Sequence, residues 1–384
     1  MSKEIRFNEA SALYIHIPFC LSKCPYCDFY SVEYDKKRVD LYWAALFQEL
    51  ESLIKSVDNK LLRSIYIGGG TPSLISGEKI FALLKKIRSS FQLPPTAEIT
   101  IEANPLSLSE EKIIAYKRAG VNRISLGIQS FNNKFLDFLG RNSSREKNID
   151  SIKLLKKYFS NYSLDLIFAL PEQSGEEFKR DLEILSSFNP PHISLYNLEI
   201  HEQTPFYQRL EKGEFKLPAD KIDAEMYNFA QNFFLKAGYN NYEISNFAKS
   251  GYRAQHNYLY WRYNSYLALG PGAAAFNGKI RYKNRADLNK YLKSFLADQK
   301  VEREINFLTK EDRMAEYCFL ALRTRAGLSL HQFYLNFKED FNNLYRDSVD
   351  KLKNKSLLAE SNNRLYLTAK GKLLANEVFL VFLK

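Results

Sequence analysis

The stretch Tyr14-Ile15-His16-Ile17-Pro18-Phe19-Cys20-Leu21-Ser22-Lys23-Cys24-Pro25-Tyr26-Cys27-Asp28-Phe29 governs how the rest of the chain is read. It carries three of the four cysteines, Cys20, Cys24 and Cys27, in a C-x3-C-x2-C spacing. Thiols this close cannot pair usefully as disulfides, and an odd number leaves one over. Metal binding is the better reading, because Pro18 and Pro25 mark a loop rather than a packed core.

The number of ligands chooses the metal. A structural zinc site wants four, and the remaining cysteine, Cys318, lies far along the chain with no partner near it. Three thiolates on one short loop suit three irons of a [4Fe-4S] cluster and leave the fourth iron open to an external ligand. A zinc site completed by His16 or Asp28 stays open as the alternative.

At 384 residues the chain has room for two or three domains and can bury roughly 75% of its unfolded surface, so disulfides are not needed. Residues 1–9 are polar, with no apolar core of a signal peptide, and no apolar run approaches the ~20 residues that span a bilayer. The expectation is a cytoplasmic protein with reduced thiols. The net charge is +11, and between Lys249 and Arg303 eleven basic residues face three acids, Asp287, Asp298 and Glu302. That stretch is either a solvated basic face or a surface for an anionic small molecule, an acidic membrane or nucleic acid.

Six apolar strand-like runs, at 12–17, 64–67, 98–101, 123–127, 163–168 and 192–196, are each followed by a helix-like amphipathic stretch. The alternation predicts a parallel α/β sheet with helices near 36–57, 76–91, 109–119, 147–158 and 175–188, and Gly120 as a C-cap. Six such units fit a partial (β/α)6 barrel of the TIM type as readily as an open sheet. In either, ligands meet the loops at the carboxyl ends of the strands. There stand the cysteine loop, Gly68-Gly69-Gly70-Thr71-Pro72, Glu102 and Gln129, while Asp165 lies within the fifth strand. The expected division is a barrel over 1–200, a linker and ligand-motif region over 201–304, and a helical, winged-helix-like unit over 305–384, its hairpin turning at Asn362-Asn363.

These motifs together resemble the radical S-adenosylmethionine (SAM) superfamily, in the branch that holds oxygen-independent coproporphyrinogen III oxidase and its haem-chaperone relatives. The resemblance runs from Tyr14 to the C-terminus. It implies that SAM chelates the open iron, and that an electron from the reduced cluster can cleave its sulfonium. Carried over by position, Tyr14 would lie beside the cluster and Tyr26 against the adenine. Gly69, Gly70 and Thr71 would hold the methionine amino end. Glu102 and Asp165 suit the ribose hydroxyls, and Gln129 and Arg141 match polar contacts of the family.

Oxidases of this branch carry a fourth cysteine two positions after the third, where this chain has Phe29. His256-Asn257-Tyr258-Leu259-Tyr260-Trp261 resembles the His-Asn-x-x-Tyr-Trp motif of the chaperones, which implies a haem-binding role for His256, with Lys249, Arg253 or Arg262 near the propionates. The expected function is therefore haem binding and delivery to acceptor haemoproteins, membrane-bound ones among them. A peripheral position at the inner membrane face, a homodimer and the absence of nucleic acid belong to the same expectation. Coproporphyrinogen oxidation is the alternative enzyme reading, and a zinc-dependent nucleic-acid binder the third.

Overall fold

The computed structural model describes residues 5–297, 299 and 301–383. Residues 1–4 of the polar N-terminal segment, and Asp298 and Lys300 of the basic stretch, lie outside the described residues.

The six expected runs form strands β1 (Ala12–Ile17), β2 (Ser64–Gly69), β3 (Glu98–Ala103), β4 (Arg123–Gln129), β5 (Tyr162–Phe168) and β6 (His192–Asn197). They pair in parallel and in chain order. Helices α1 (Lys36–Lys55), α2 (Gly77–Ser90), α3 (Glu110–Ala119), α4 (Asn133–Phe138), α5 (Arg145–Tyr158) and α6 (Gly175–Ser187) run between them. Their starts are written in the sequence. Asp35, Ser76, Ser109, Ser144 and Ser174 each accept a backbone N–H in the first turn, and Ser174 forms a reciprocal capping box with Glu177. Gly120 ends α3 at φ +88°, a left-handed conformation that favours glycine.

The stretch 201–304, expected as a linker and ligand-motif region, adds six strands to this same sheet. They are β7 (Asn240–Glu243), β8 (Asn246–Ala248), β9 (Tyr266–Leu269), β10 (Ala274–Phe276), β11 (Ile280–Asn284) and β12 (Arg303–Phe307). The order is β12-β11-β10-β9-β1-β2-β3-β4-β5-β6-β8-β7. Strand β9 runs parallel to β1, so the strand leading into the cysteines has a neighbour on both sides. Leu13, Ile15 and Ile17, alternate residues on one face of this strand, are all buried in the main core. The same region supplies helices α7 (Pro205–Glu211), α8 (Asp220–Lys236), α9 (Gln255–Trp261) and α10 (Leu288–Leu296).

The C-terminal part has its own core, with Cys318, Phe333, Phe341, Tyr345 and Val378 among its buried members. Its elements are α11 (Lys310–Leu322), β13 (Leu328–Ser329), α12 (Leu330–Phe337), α13 (Phe341–Asn354), β14 (Leu358–Ser361), β15 (Arg364–Leu367), α14 (Ala369–Leu373) and α15 (Ala375–Leu380). The hairpin turns at Asn362 and Asn363, both with positive φ, as a two-residue connection demands. The order of helices, strand and hairpin is that of a winged helix.

One buried carboxylate ties the antiparallel extension to the barrel. Glu49 of α1 is 1% exposed and accepts hydrogen bonds from Gly270 N (2.7 Å), Asn284 Nδ2 (2.6 Å) and Tyr291 Oη (2.7 Å). Removing it would leave three buried donors without an acceptor, at ~1–3 kcal/mol for each unmade bond that does not find water. Glu49→Ala is therefore expected to lower unfolding stability by about 3 kcal/mol, read as a shift of the urea midpoint, while Glu49→Gln costs less.

Candidate functional site

The cysteine loop is pinched at its neck. Phe19–Cys20 pairs with Val32–Glu33, Val32 N donates to Pro18 O at 2.7 Å, and Tyr34 N donates to Cys20 O at 2.8 Å. His16 braces the loop from beneath. Its ring nitrogens meet Tyr14 Oη at 2.9 Å and Tyr30 O at 2.8 Å, and burial lowers its pKa to about 4. It is thus engaged away from the thiols, as a structural residue.

The glycine loop is tied to the same neck. Gly70 N donates to Ile17 O and Thr71 N to Phe19 O, each at 2.8 Å. A Cβ on Gly70 would fall 2.7 Å from Phe19 O, and one on Gly69 (φ +112°) would fall 2.6 Å from the His16 ring. Two consecutive glycines are required for the loops to meet.

Cys20, Cys24 and Cys27 border a cavity of about 90 Å³ together with Tyr26, Gly70, Thr71 and Arg141. Thr71 Oγ1 lies 3.4 Å from Cys20 Sγ, and Arg141 Nη1 lies 3.7 Å from Cys24 Sγ. Burial pushes the Cys27 thiol up to about 11, so a thiolate there calls for positive charge beside it. Among the described residues, no three His, Cys, Asp or Glu side chains gather around a point for a single metal ion.

Beside this cavity opens a larger one of about 1120 Å³, which shares Tyr26, Cys27, Gly70, Thr71 and Arg141 and adds Gly69, Glu102, Gln129 and Asp165. Glu102 accepts from Tyr66 Oη at 2.7 Å and from Gly69 N at 3.1 Å. Burial raises its pKa to about 7. Asp165, also pushed up by burial, accepts from Ser163 Oγ at 2.8 Å and Ser125 Oγ at 3.0 Å. Gln129 has φ +69° and sits where the β4–β5 register slips, a local bend that turns its side chain out of strand alternation. Arg141 is fixed by Gly127 O at 2.9 Å. Eleven of the thirteen expected site residues therefore border one or both cavities.

Tyr14 and His256 are placed otherwise. Tyr14 lies one layer below, its ring 6.3 Å from Tyr66 and its hydroxyl on His16. His256 is 1% exposed and bonds Ser64 Oγ (2.9 Å), at the first residue of β2, and Tyr260 Oη (2.7 Å). The cysteines follow the last residue of β1, so His256 stands at the opposite end of a parallel barrel. Both ring nitrogens are engaged, and burial lowers its pKa to about 3. The first turn of α9 caps the barrel there, with Gln255 N and His256 N donating to Glu98 at 2.8 and 3.1 Å. Of the motif, it is Asn257 that borders the large cavity. Lys249, Arg253 and Arg262 are not among its lining residues; its cations are Arg123, Arg141, Lys221, Arg323, Lys370 and Lys372.

Sequence reasoning missed Tyr66, Arg123 and the C-terminal cations Arg323, Lys370 and Lys372. Tyr66 and Arg123 carry a signal, since both occupy runs that were read as strands; the lysines of α14 carry none, because only tertiary packing brings them to the barrel.

Two family models match the chain: the radical SAM superfamily over residues 14–185 and the HemN C-terminal domain over residues 308–374. The heme chaperone HemW of Lactococcus lactis is 38% identical over 377 residues, 98% of this chain and 98% of its own length. That of Bacillus subtilis is 36% identical over 374 residues, 96% and 98% of the two chains. The chain belongs to the HemW family of radical SAM proteins. The HemW-family fold is shared with coproporphyrinogen III oxidase (HemN) from Escherichia coli, at a TM-score of 0.84 and 23% identity over 98% of this chain and 91% of that one. Radical SAM membership implies a [4Fe-4S] cluster and SAM. The residues of this HemW-family chain fit both groups: three thiols border one cavity, a guanidinium and a hydroxyl face two of the sulfurs, and a side-chain-free cradle adjoins the half-buried Glu102 carboxylate.

The Glu102 carboxyl sets a pH test. Its pKa is raised from 4.5 unfolded to about 7 folded, so the folded state holds more protons between those values. Its contribution is fully present below about pH 4.5 and is lost as pH rises through about 7. The ligand-free protein should lose melting temperature from pH 5 to 8 more steeply than Glu102→Gln does; equal slopes would refute the assignment.

Proposed function

We propose that the chain binds haem and passes it to acceptor haemoproteins, and that it does so while carrying a SAM-coordinated [4Fe-4S] cluster. The observation that carries this reading is the near full-length likeness to proteins named heme chaperone HemW. Two features of the chain support it. Phe29 stands where the related oxidases have a fourth cysteine and is 60% exposed at the edge of the large cavity. The cavity itself exceeds the ~300–1,000 Å³ of most small-molecule sites, room enough for a nucleotide and a macrocycle.

In this reading Cys20, Cys24 and Cys27 would hold the cluster. Gly69, Gly70 and Thr71 would meet the methionine end of SAM, Glu102 and Asp165 the ribose, Gln129 and Arg141 its polar atoms, and Tyr26 the adenine. Tyr14 supports the loop through His16. When bound, SAM and the cluster supply one-electron cleavage chemistry; the residues of the chain orient and enclose them. The chain divides in function into a barrel over 1–200, a ligand-motif region over 201–304 and a C-terminal unit over 305–384. Among the described residues no helix is long and apolar enough to cross a membrane. The reading places the protein in the cytoplasm, alone or as a homodimer, and at the inner membrane face when its acceptor is membrane-bound; nucleic acid has no part in it.

The second reading, coproporphyrinogen oxidation, draws on the shared fold with HemN. Anaerobically reconstituted protein should contain about four irons and four sulfides, transfer bound haem to an apo-haemoprotein, and leave coproporphyrinogen III unchanged with SAM and reductant. Cys24→Ser should lower the iron content sharply. Formation of protoporphyrinogen would overturn the chaperone reading.

A further inference from the structure

The buried, doubly bonded His256 leaves open which group meets haem iron. Of the five histidines, His201 alone borders the large cavity. It follows β6 at the carboxyl end of the barrel, and its side chain is 46% exposed. Its Nε2 lies 3.7 Å from Asp28 Oδ2, too far for a hydrogen bond and close enough for a small ring movement to make one. Which ring nitrogen faces the carboxylate is interchangeable by a half-turn of the imidazole. One nitrogen can then be held by Asp28 and the other offered to the cavity, the arrangement by which a carboxylate orients a ligating histidine.

The turn is rigid. Thr204 N and Thr204 Oγ1 both donate to His201 O, at 2.9 and 2.7 Å, and Thr204 caps α7. In turn Phe206 N donates to Pro25 O at 3.0 Å, and the Phe206 ring packs 6.2 Å from Tyr26. His201 is thereby fixed to the cysteine loop itself. Its surroundings offer aromatic faces to a flat macrocycle and, among the acids Glu199, Asp220, Asp223 and Glu377, a few cations for its anionic edges. Phe29 and Tyr196 expose 60% and 43% of their surface at this mouth, and Lys221 and Lys370 stand exposed on its rim.

We propose that His201, oriented by Asp28, is the imidazole that ligates haem iron at the mouth of the large cavity. This rests on the reading that the chain binds haem, and it assigns His256 to holding α9 across the far end of the barrel. The test is a haem titration of the full chain, reconstituted with its cluster and supplied with SAM, followed by difference spectra and resonance Raman scattering. His201→Ala should weaken haem binding at least tenfold and lose the iron–imidazole signature, with free imidazole restoring that signature. Asp28→Asn should keep the ligand but shift the iron–imidazole frequency. His256→Ala should keep an iron–imidazole signature while its melting temperature falls. Iron-free protoporphyrin IX should bind wild type and His201→Ala alike. If His201→Ala keeps both affinity and signature, or only His256→Ala loses them, the assignment is overturned and the haem-binding reading stands. If wild type takes up no haem, both fall.

Discussion

Two backbone hydrogen bonds, from Gly70 N–H to Ile17 C=O and from Thr71 N–H to Phe19 C=O, hold the end of the first strand against the end of the second. Each is individually modest, about 1 kcal/mol net. Their importance is geometric: they make the cysteine neck and the glycine turn a single wall. A methyl group on Gly70 would collide with the carbonyl that accepts one of these bonds, so the join tolerates no side chain there. The Thr71 hydroxyl then faces Cys20, and Arg141, fixed on Gly127, faces Cys24. The cavity walls follow from that join.

Carboxylates do the rest of the positioning. Glu49 gathers three donors from the extension, Glu98 receives the first turn of α9, and Glu102 spans Tyr66 and Gly69. Each joins segments distant in sequence. Because burial disfavours their charge, Glu49 and Glu102 are both pushed above the ordinary carboxylate range, and their hydrogen bonds only partly oppose the shift. The Glu102 wall of the lumen therefore has a carboxyl that changes charge near neutral pH.

Much of this was legible beforehand, for identifiable reasons. The six parallel strands each carry a short run of apolar residues, and five of the helices between them open on a Ser or Asp cap, so pattern and punctuation agree. The Asn362-Asn363 turn was legible because asparagine tolerates positive φ. Strands β7 to β12 were not: they are three to five residues long, several are rich in Tyr and Asn, and their pairing with β1, β6 and one another holds them in place. The register slip beside Gln129 left no mark in composition. His256 shows a different limit. A motif gives the type of side chain but not the end of the barrel to which its helix is bonded, and Ser64 and Glu98 decide that.

The pairing of β1 with β9 has a bearing on biosynthesis. The opening strand finds one neighbour about fifty residues later and the other only at Tyr266–Leu269. A growing polypeptide therefore keeps one edge of β1, the strand that leads into the cysteine loop, unpaired until Tyr266–Leu269 has been made. Long-range pairings of this kind are slow to close and leave sticky edges in the interim. Cys20, Cys24 and Cys27 are synthesised well before Tyr266–Leu269, so the loop that carries them is made before its strand is flanked on both sides.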